Sequence, residues 1–498
     1  MGSAISGHRD RRSTAVLLVG LSCLAACRDA ASVTVVDGRP NVLVLMSDDQ
    51  PVGMLGCEGH PWSQTPALDR LAESGVRFSQ ACVTTALCSP SRASFLTGRY
   101  ARSHGIVDND TPLPLDLPTF ATRMTAAGYD SAYVGKWHMG DQAGARPGFA
   151  WSATLVGQAS YRQNTFLIGT EEELTETRVG GWVDDVSALH AQEFLRRERS
   201  APFLLVVGFK GPHRPHRPAR RHEQLYAGEP LELPDNADAY PPFPMHHELE
   251  ALAERAGTDV AGYDPPEAWA EDWAKDFGGR APEPWSGRVT LPTERMRDCY
   301  RVLHGVDENV GRILDVLEET GVYDSTLIVF TSDNGLGMGS HGMIGKHTCY
   351  EESVLVPLIV RLPGGRTGAV VDELVLNVDL APTLLEVAGL PKDESMHGRS
   401  LVALLEGHMP EPAWRTHALL EVAHTESPLP PSTALRTPEW KLIRYPGRAS
   451  WTELFHLPSD PGERTNLAQD AQYAQELEQW SARLDEAERA LALPRVGR

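Results

Sequence analysis

Cys88-Ser89-Pro90-Ser91-Arg92 places a thiol two residues before a proline and four before an arginine. Pro90 suits a first helical turn, where its missing N–H costs nothing. Cys88 would then lie just outside a helix N-terminus, where free N–H groups and the helix dipole favour negative charge. Arg92, one turn further on, adds a permanent cation with a forked donor set. The pattern suits a nucleophile facing an anion. In isolation it also suits a buried cysteine beside a capped helix.

Other polar groups can complete such a site. Asp48, Asp49, Asp333 and Asn334 offer only oxygen, which selects Ca²⁺ or Mg²⁺ over zinc. The same residues also suit strand-end turns. Lys136, Lys346 and Arg92 could surround one anion with positive charge, and His138 and His213 could move protons near neutrality. Arg214, Arg217, Arg220 and Arg221 follow His213 and either steer an anion inward or form a solvated basic loop.

These residues need elements that bring them together. Asn41 to Ser47 is an apolar run, as in a strand buried on both faces, and it ends in Asp48-Asp49. Asp130 to Val134 reads as a strand ending in Gly135-Lys136-Trp137-His138, and Phe203 to Phe209 as one ending in Lys210-Gly211-Pro212-His213. Ser325 to Phe330 leads to Asp333-Asn334; Arg77 to Val83 and Leu355 to Val360 are further strands. Helical patterns cover Thr65 to Ser74, Leu117 to Ala127, Gly180 to Arg197, Thr293 to Gly321 and Asp379 to Ala388. The alternation predicts an α/β fold, a large mostly parallel sheet with helices on both faces. Ligands of such sheets collect at the carboxyl ends of the strands, where these polar clusters fall. From about residue 400 the texture changes to antiparallel strands (434–445 and 453–456) and a charged helix (468–493), a smaller α+β subdomain. The expected divisions are 1–27, 28–39, 40–398 and 399–498: a signal, a tether, a catalytic domain and the C-terminal subdomain.

Composition excludes some classes. The 498 residues carry 41% hydrophobic and 23% charged side chains, as in globular proteins. A net charge of −21 argues against a general nucleic-acid or anionic-membrane binder. Arg9, Arg11 and Arg12 precede an uncharged stretch, Ser13 to Cys27, too short to span a bilayer. Its end, Leu24-Ala25-Ala26-Cys27, resembles a bacterial lipoprotein signal, with ordinary cleavage or an uncleaved anchor as alternatives. The expected location is therefore the periplasm or cell surface, with a lipid anchor as the only membrane attachment. Beyond the signal, five cysteines are too sparse for a disulfide scaffold. Export permits pairs among Cys57, Cys82, Cys299 and Cys349, leaving Cys88 as the odd one.

Read in order, the pieces resemble the type I sulfatases of the alkaline-phosphatase-like superfamily. Those pieces are Ser47-Asp48-Asp49-Gln50, Cys88-Ser-Pro-Ser-Arg92 with Leu96-Thr97-Gly98-Arg99, Gly135-Lys136-Trp137-His138, Gly211-Pro212-His213-Arg214-Pro215, Ser332-Asp333-Asn334-Gly335, His341-Gly342 with Gly345-Lys346, and Tyr350-Glu351-Glu352-Ser353. The resemblance implies that Cys88 is oxidised by a formylglycine-generating enzyme to 3-oxoalanine, whose hydrate attacks sulfur. It implies a Ca²⁺ site (Mg²⁺ being possible) made by Asp48, Asp49, Asp333, Asn334 and position 88. It implies that Arg92 holds the hydrate, Lys136 and Lys346 hold sulfate oxygens, His138 assists the hydrate and His213 serves the leaving oxygen. His341 and His347 vary within the family and receive no role.

The implied activity is release of sulfate from a sulfated glycan or other organic sulfate ester. Gly157-Gln158-Ala159-Ser160-Tyr161 looks like bacterial glycan sulfatases, N-acetylglucosamine-6-sulfatases included. Substrate choice is expected in loops at 141–180 and 214–292. Two alternatives stand: a phosphonate monoester or phosphodiester hydrolase on the same site, and a non-catalytic sulfated-glycan binder with an unconverted cysteine.

Overall fold

The computed structural model describes residues 38–140, 144, 146–239, 241–242, 294–423 and 429–491. The expected signal, most of the tether and the Pro-rich stretch from 243 to 292 lie outside the described residues. No helix among the described residues is long and apolar enough to cross a membrane.

Ten strands form the main sheet: β1 Asn41–Asp48, β2 Val76–Phe78, β3 Asp130–Lys136, β4 Trp151–Leu155, β5 Arg162–Gly169, β6 Leu174–Trp182, β7 Phe203–Pro212, β8 Thr326–Ser332, β9 Leu358–Arg361 and β10 Ala369–Val371. Their order is β10-β2-β9-β8-β1-β7-β3-β4-β5-β6. The middle five, β8-β1-β7-β3-β4, are mutually parallel. β9 runs antiparallel to β8, and β5 and β6 extend the other side as antiparallel strands. The sheet is thus mostly parallel at its centre, as the alternation predicts.

Alternate residues of β1 feed two cores. Leu43 and Leu45 meet α1 Pro66–Glu73, α4 Val183–Leu195 and α5 Glu294–Glu319. Val42, Val44 and Met46 meet α2 Cys88–Thr97, α3 Phe120–Ala126 and α6 Leu380–Val387. Burial on both faces explains why β1 is apolar from Val42 to Met46. Its carboxyl end, with those of β3, β7 and β8, opens on one edge of the sheet.

The C-terminal part holds β11 Ala418–Val422, β12 Ser432–Arg436, β13 Trp440–Arg444 and β14 Glu453–His456, all antiparallel. Leu419, Leu435, Leu442 and Leu454 face Trp480 and Leu484 of α7 Ala474–Ala490. The opposite face, with Leu420, Ile443 and Phe455, packs on Cys82, Tyr350 and Val354 of the main body.

Several expected elements shift. The helix expected from Leu117 starts at Phe120, because Pro118 precedes a capping box in which Thr119 Oγ1 accepts from Thr122 N and Thr122 Oγ1 from Thr119 N. Gly180 to Trp182, read as helix, complete β6, where Trp182 pairs with Arg162. The span 141–180, expected as loop, holds β4 and β5 and most of β6. Arg77 to Val83 divides, because β2 ends at Phe78 and Ala81-Cys82 pair instead with Val375-Leu376. The five cysteines from Cys57 to Cys349 are all free thiols.

Candidate active site

Three aspartates meet at the carboxyl edge. Asp48 ends β1, Asp49 follows it, and Asp333 follows β8; each is at most 1% exposed. β1 and β8 run in register, Ser47 beside Ser332, so their polar ends coincide. Asp49 N donates to Asp333 Oδ1 (3.1 Å), and Asn334 Nδ2 donates to Asp49 Oδ1 (2.7 Å). Asp49 adopts a left-handed backbone (φ 63°), a strained geometry of the kind kept at functional sites.

α2 brings Cys88 and Arg92 to this cluster. The helix opens at Cys88 itself rather than one residue later, because Ser91 N donates to Leu87 O (2.9 Å). Gly98 closes it in the left-handed region (φ 66°). Cys88 Sγ lies 3.5 Å from Asp48 Oδ1 and 3.9 Å from Asp49 Oδ1. Burial pushes the thiol up to about 12, against the pull of Lys136 and Lys346, so it is not a thiolate at neutral pH. Arg92 Nε donates to Asp333 Oδ2 (2.8 Å), and Nη1 to the Lys136 carbonyl (2.8 Å).

Two lysines reach in from other elements. Lys136, the last residue of β3, donates to Asp48 Oδ2 and to Gln158 Oε1 (2.7 Å). Lys346, on the loop after β8, donates to Asp49 Oδ1 and to Cys88 Sγ (2.7 Å). Burial raises the pKa of Asp48, but Lys136, His213, Arg92 and Lys346 outweigh it and hold the carboxyl well below its ordinary value. Burial and the Asp48 charge move Asp333 the other way, to about 6. Gly135 (φ 85°) lets β3 approach β7: a Cβ there would stand 2.1 Å from Gly208 O.

The histidines lie at the rim of the cluster. His213 Nε2 is 3.6 Å from Asp49 Oδ2, while Nδ1 donates to Arg214 O (2.5 Å). The carbonyl fixes the tautomer and leaves Nε2 to exchange a proton. His138 sits in the left-handed region (φ 48°), with its carbonyl held by Ser89 Oγ (2.6 Å). Burial keeps both rings well below the usual imidazole range. His341 is elsewhere: its Nδ1 bonds Ala239 O (2.8 Å), and Nε2 faces Glu352 at 3.6 Å. Of the four arginines after His213, Arg221 is engaged by Asp185 and Glu308, both at 2.7 Å.

The donor set suits a hard cation. Oxygens of Asp48 and Asp49 converge with Cys88 Sγ and His213 within 4.8 Å of one another, and Asp333 and Asn334 adjoin them. Arg92 Nη2 and His138 Nδ1 are buried without a hydrogen-bond partner among the described residues. Two buried carboxylates converging here, with Asp333 and Asn334 alongside, make a candidate acidic metal site. Lys210 and Gln158, both named in the sequence motifs but given no role there, also reach this cluster.

The comparisons agree with this geometry. The Sulfatase family model matches residues 40–390, and that of the N-sulphoglucosamine sulphohydrolase C-terminal region matches 339–490. The N-acetylglucosamine-6-O-sulfatase of Bacteroides thetaiotaomicron is 30% identical over 97% of this chain and 92% of its own. A solved structure in complex with its substrate D-glucosamine-2-N,6-O-disulfate has a TM-score of 0.77 at 29% identity, covering 91% of this chain and 98% of its own. The phosphonate monoester hydrolase of Agrobacterium radiobacter has a TM-score of 0.68 at 26% identity, covering 91% and 96%. With its acidic strand-end cluster, its buried cations and these matches over nearly its whole length, the chain belongs to the sulfatase family of the alkaline-phosphatase-like superfamily and is a sulfuric ester hydrolase.

Proposed function

We propose that this sulfatase releases sulfate from a sulfated carbohydrate, a sulfated hexosamine being the favoured class, through Cys88 converted to formylglycine. The observation that carries this reading is the setting of Cys88. Its sulfur lies among Lys346, Asp48 and Asp49, and burial raises its thiol to about 12. A neutral thiol is a poor nucleophile, so the site is better suited to an oxidised side chain at position 88. The names of the relatives support a glycan substrate, two of them being N-acetylglucosamine 6-sulfatases.

Asp48, Asp49, Asp333 and Asn334 hold Ca²⁺ in this reading, with Mg²⁺ the alternative hard cation. When bound, the metal polarises a sulfate oxygen, and the hydrated aldehyde supplies the attacking hydroxyl. Lys136 and Lys346 neutralise the remaining sulfate oxygens, which otherwise repel a nucleophile. Arg92, gripped by Asp333 and the Lys136 carbonyl, holds the nucleophile's orientation. His138 assists at position 88. His213 passes a proton to the leaving oxygen through Nε2, which its Nδ1 bond to the Arg214 carbonyl leaves free.

The division into 40–398 as catalytic domain and 399–498 as C-terminal subdomain belongs to the same proposal. So does export through a signal ending at Cys27, a tether over 28–39 and a lipid anchor. Mass spectrometry of the Cys88 peptide from the native host tests the mechanism, with an aldehyde expected and an unmodified thiol overturning it. The likeness to a phosphonate monoester hydrolase favours a second reading. Sulfate and phosphonate esters of one phenol separate the two; faster phosphonate cleavage would select the second. Binding of sulfated hexosamine without sulfate release, by aldehyde-bearing protein, would instead indicate a glycan binder.

A further inference from the structure

Lys210 is a buried cation without an assigned role. It lies on β7, three residues before His213, and is 1% exposed. Its Nζ donates to the carbonyl of Gln158 (2.8 Å) and lies 5.3 Å from the centre of the Tyr161 ring. The nearby Asp184 carboxylate is occupied by backbone, accepting from Lys210 N (2.8 Å) and Gly211 N (3.0 Å). Burial, with Lys136 nearby, pulls the lysine down to about 8. A buried ammonium resting on one carbonyl and a ring face is costly, and a neutral side chain would fill that volume more cheaply.

What the ammonium holds is the loop that touches Lys136. Gln158 accepts at both of its oxygens: its carbonyl from Lys210 Nζ, its side-chain Oε1 from Lys136 Nζ (2.7 Å). The loop joins β4 to β5 and has positive φ on both sides of Gln158, at Gly157 (57°) and Ala159 (56°). Such a backbone persists only when its surroundings hold it. Asn164 Oδ1 fixes its far end at Ser160 N (2.8 Å), and Tyr161 OH donates to the carbonyl of His213 (2.5 Å). One short loop thus couples the carboxyl ends of β3 and β7, which carry Lys136 and His213.

We propose that Lys210 is a positioning residue for sulfate ester hydrolysis: it pins the Gln158 carbonyl so that the Gln158 side chain aims Lys136 Nζ at the bound sulfate. This rests on the reading of Lys136 as a sulfate contact. Lys136 Nζ is held at Asp48 and Gln158 and also lies 3.9 Å from Cys88 Sγ. Without Gln158, its four-carbon stem loses the restraint on that side.

Lys210→Met, Gln158→Leu and their double variant test the bridge, with Lys136→Ala as control. Turnover of an aryl sulfate, inhibition by inorganic sulfate and the thermal midpoint are measured on each. Each single variant should lower kcat/KM about 10- to 50-fold and weaken sulfate inhibition. The double variant should fall no further than about 3-fold below the worse single, because both changes cut one bridge. Losses that multiply, or a Gln158→Leu protein within about 2-fold of the unaltered one, would overturn the proposal. Gln158 is half-buried on a loop, so its variant decides the matter even if Lys210→Met does not fold. Full turnover by Lys136→Ala would overturn the reading of Lys136, and the bridge with it. An inactive Lys136→Ala beside an unimpaired Gln158→Leu overturns the bridge alone.

Discussion

Asp48, Asp49 and Asp333 with Lys136, Lys346 and Arg92 make one buried charge cluster; Glu351 and Glu463 with Lys441 and Arg436 make another. The second closes on itself. Lys441 Nζ meets Glu351 Oε1 at 2.9 Å and Glu463 Oε1 at 2.8 Å, and Arg436 Nη2 meets Glu351 Oε2 at 2.9 Å. Glu463 Oε2 also accepts from Glu351 N (2.7 Å). Its cations come from β12 and β13 and its Glu351 from the turn Glu351–Val354, so it fastens the C-terminal sheet to the main body. The first gathers carboxylate oxygens of Asp48 and Asp49 with Cys88 Sγ and His213 within 4.8 Å of one another. The same residue types build, in one place, a fastening of the C-terminal sheet to the main body and, in the other, a cluster of oxygens around a thiol.

Single substitutions should separate the two. Lys136→Ala should lower kcat/KM on a sulfate ester by about 10³-fold in the folded fraction, the scale of losing one preplaced charge on a reacting oxygen. Glu351→Ala should do the reverse, costing about 3–5 kcal/mol of stability by leaving Arg436 and Lys441 buried and half-paired, while the folded fraction keeps its turnover. Denaturant titration and steady-state kinetics on both variants check this; swapped outcomes would erase the distinction.

Metal sharpens it further. Ca²⁺ at about a hundred times its dissociation constant should stabilise the protein by about 2.7 kcal/mol, and chelation should remove that increment. Asp49→Ala should abolish the calcium effect, whereas Lys441→Met, though less stable, should keep it. Calorimetry with and without the ion reads both.

The last effect is one of pH. Glu453 is buried beneath Tyr350 and Tyr445, whose hydroxyls donate to it at 2.8 and 2.7 Å. Burial raises it from 4.5 to about 7, against the pull of those hydroxyls. The folded protein therefore holds a proton that the unfolded chain releases, and stability at this group falls as pH rises from about 4.5 to about 7. Glu453→Gln cannot titrate. Relative to the unaltered protein it should gain about 3 kcal/mol between pH 4.5 and pH 8; a pH-independent difference would refute the assignment.

The sequence by itself determined the frame of the site. β1, β3, β7 and β8 are apolar runs that end abruptly in polar residues, and a strand buried on both faces leaves few other readings. Their carboxyl ends lead to Asp48-Asp49, Lys136 and His138, His213, and Asp333-Asn334, so a metal-assisted anion site was legible from local pattern and motif order together. Tertiary structure alone decided the rest. β5 and β6 alternate polar and apolar residues weakly at the sheet's edge, so they resemble loop until paired. Glu351, Arg436, Lys441 and Glu463 are distant along the chain, and nothing local tells a fastened charge from a solvated one. His341 and Lys346 share one motif, yet only the fold sends Lys346 to Cys88 and His341 to Ala239 and Glu352. Periodicity reports which face of an element is buried. Which charges then meet depends on contacts between distant segments, and those contacts exist only in the folded chain.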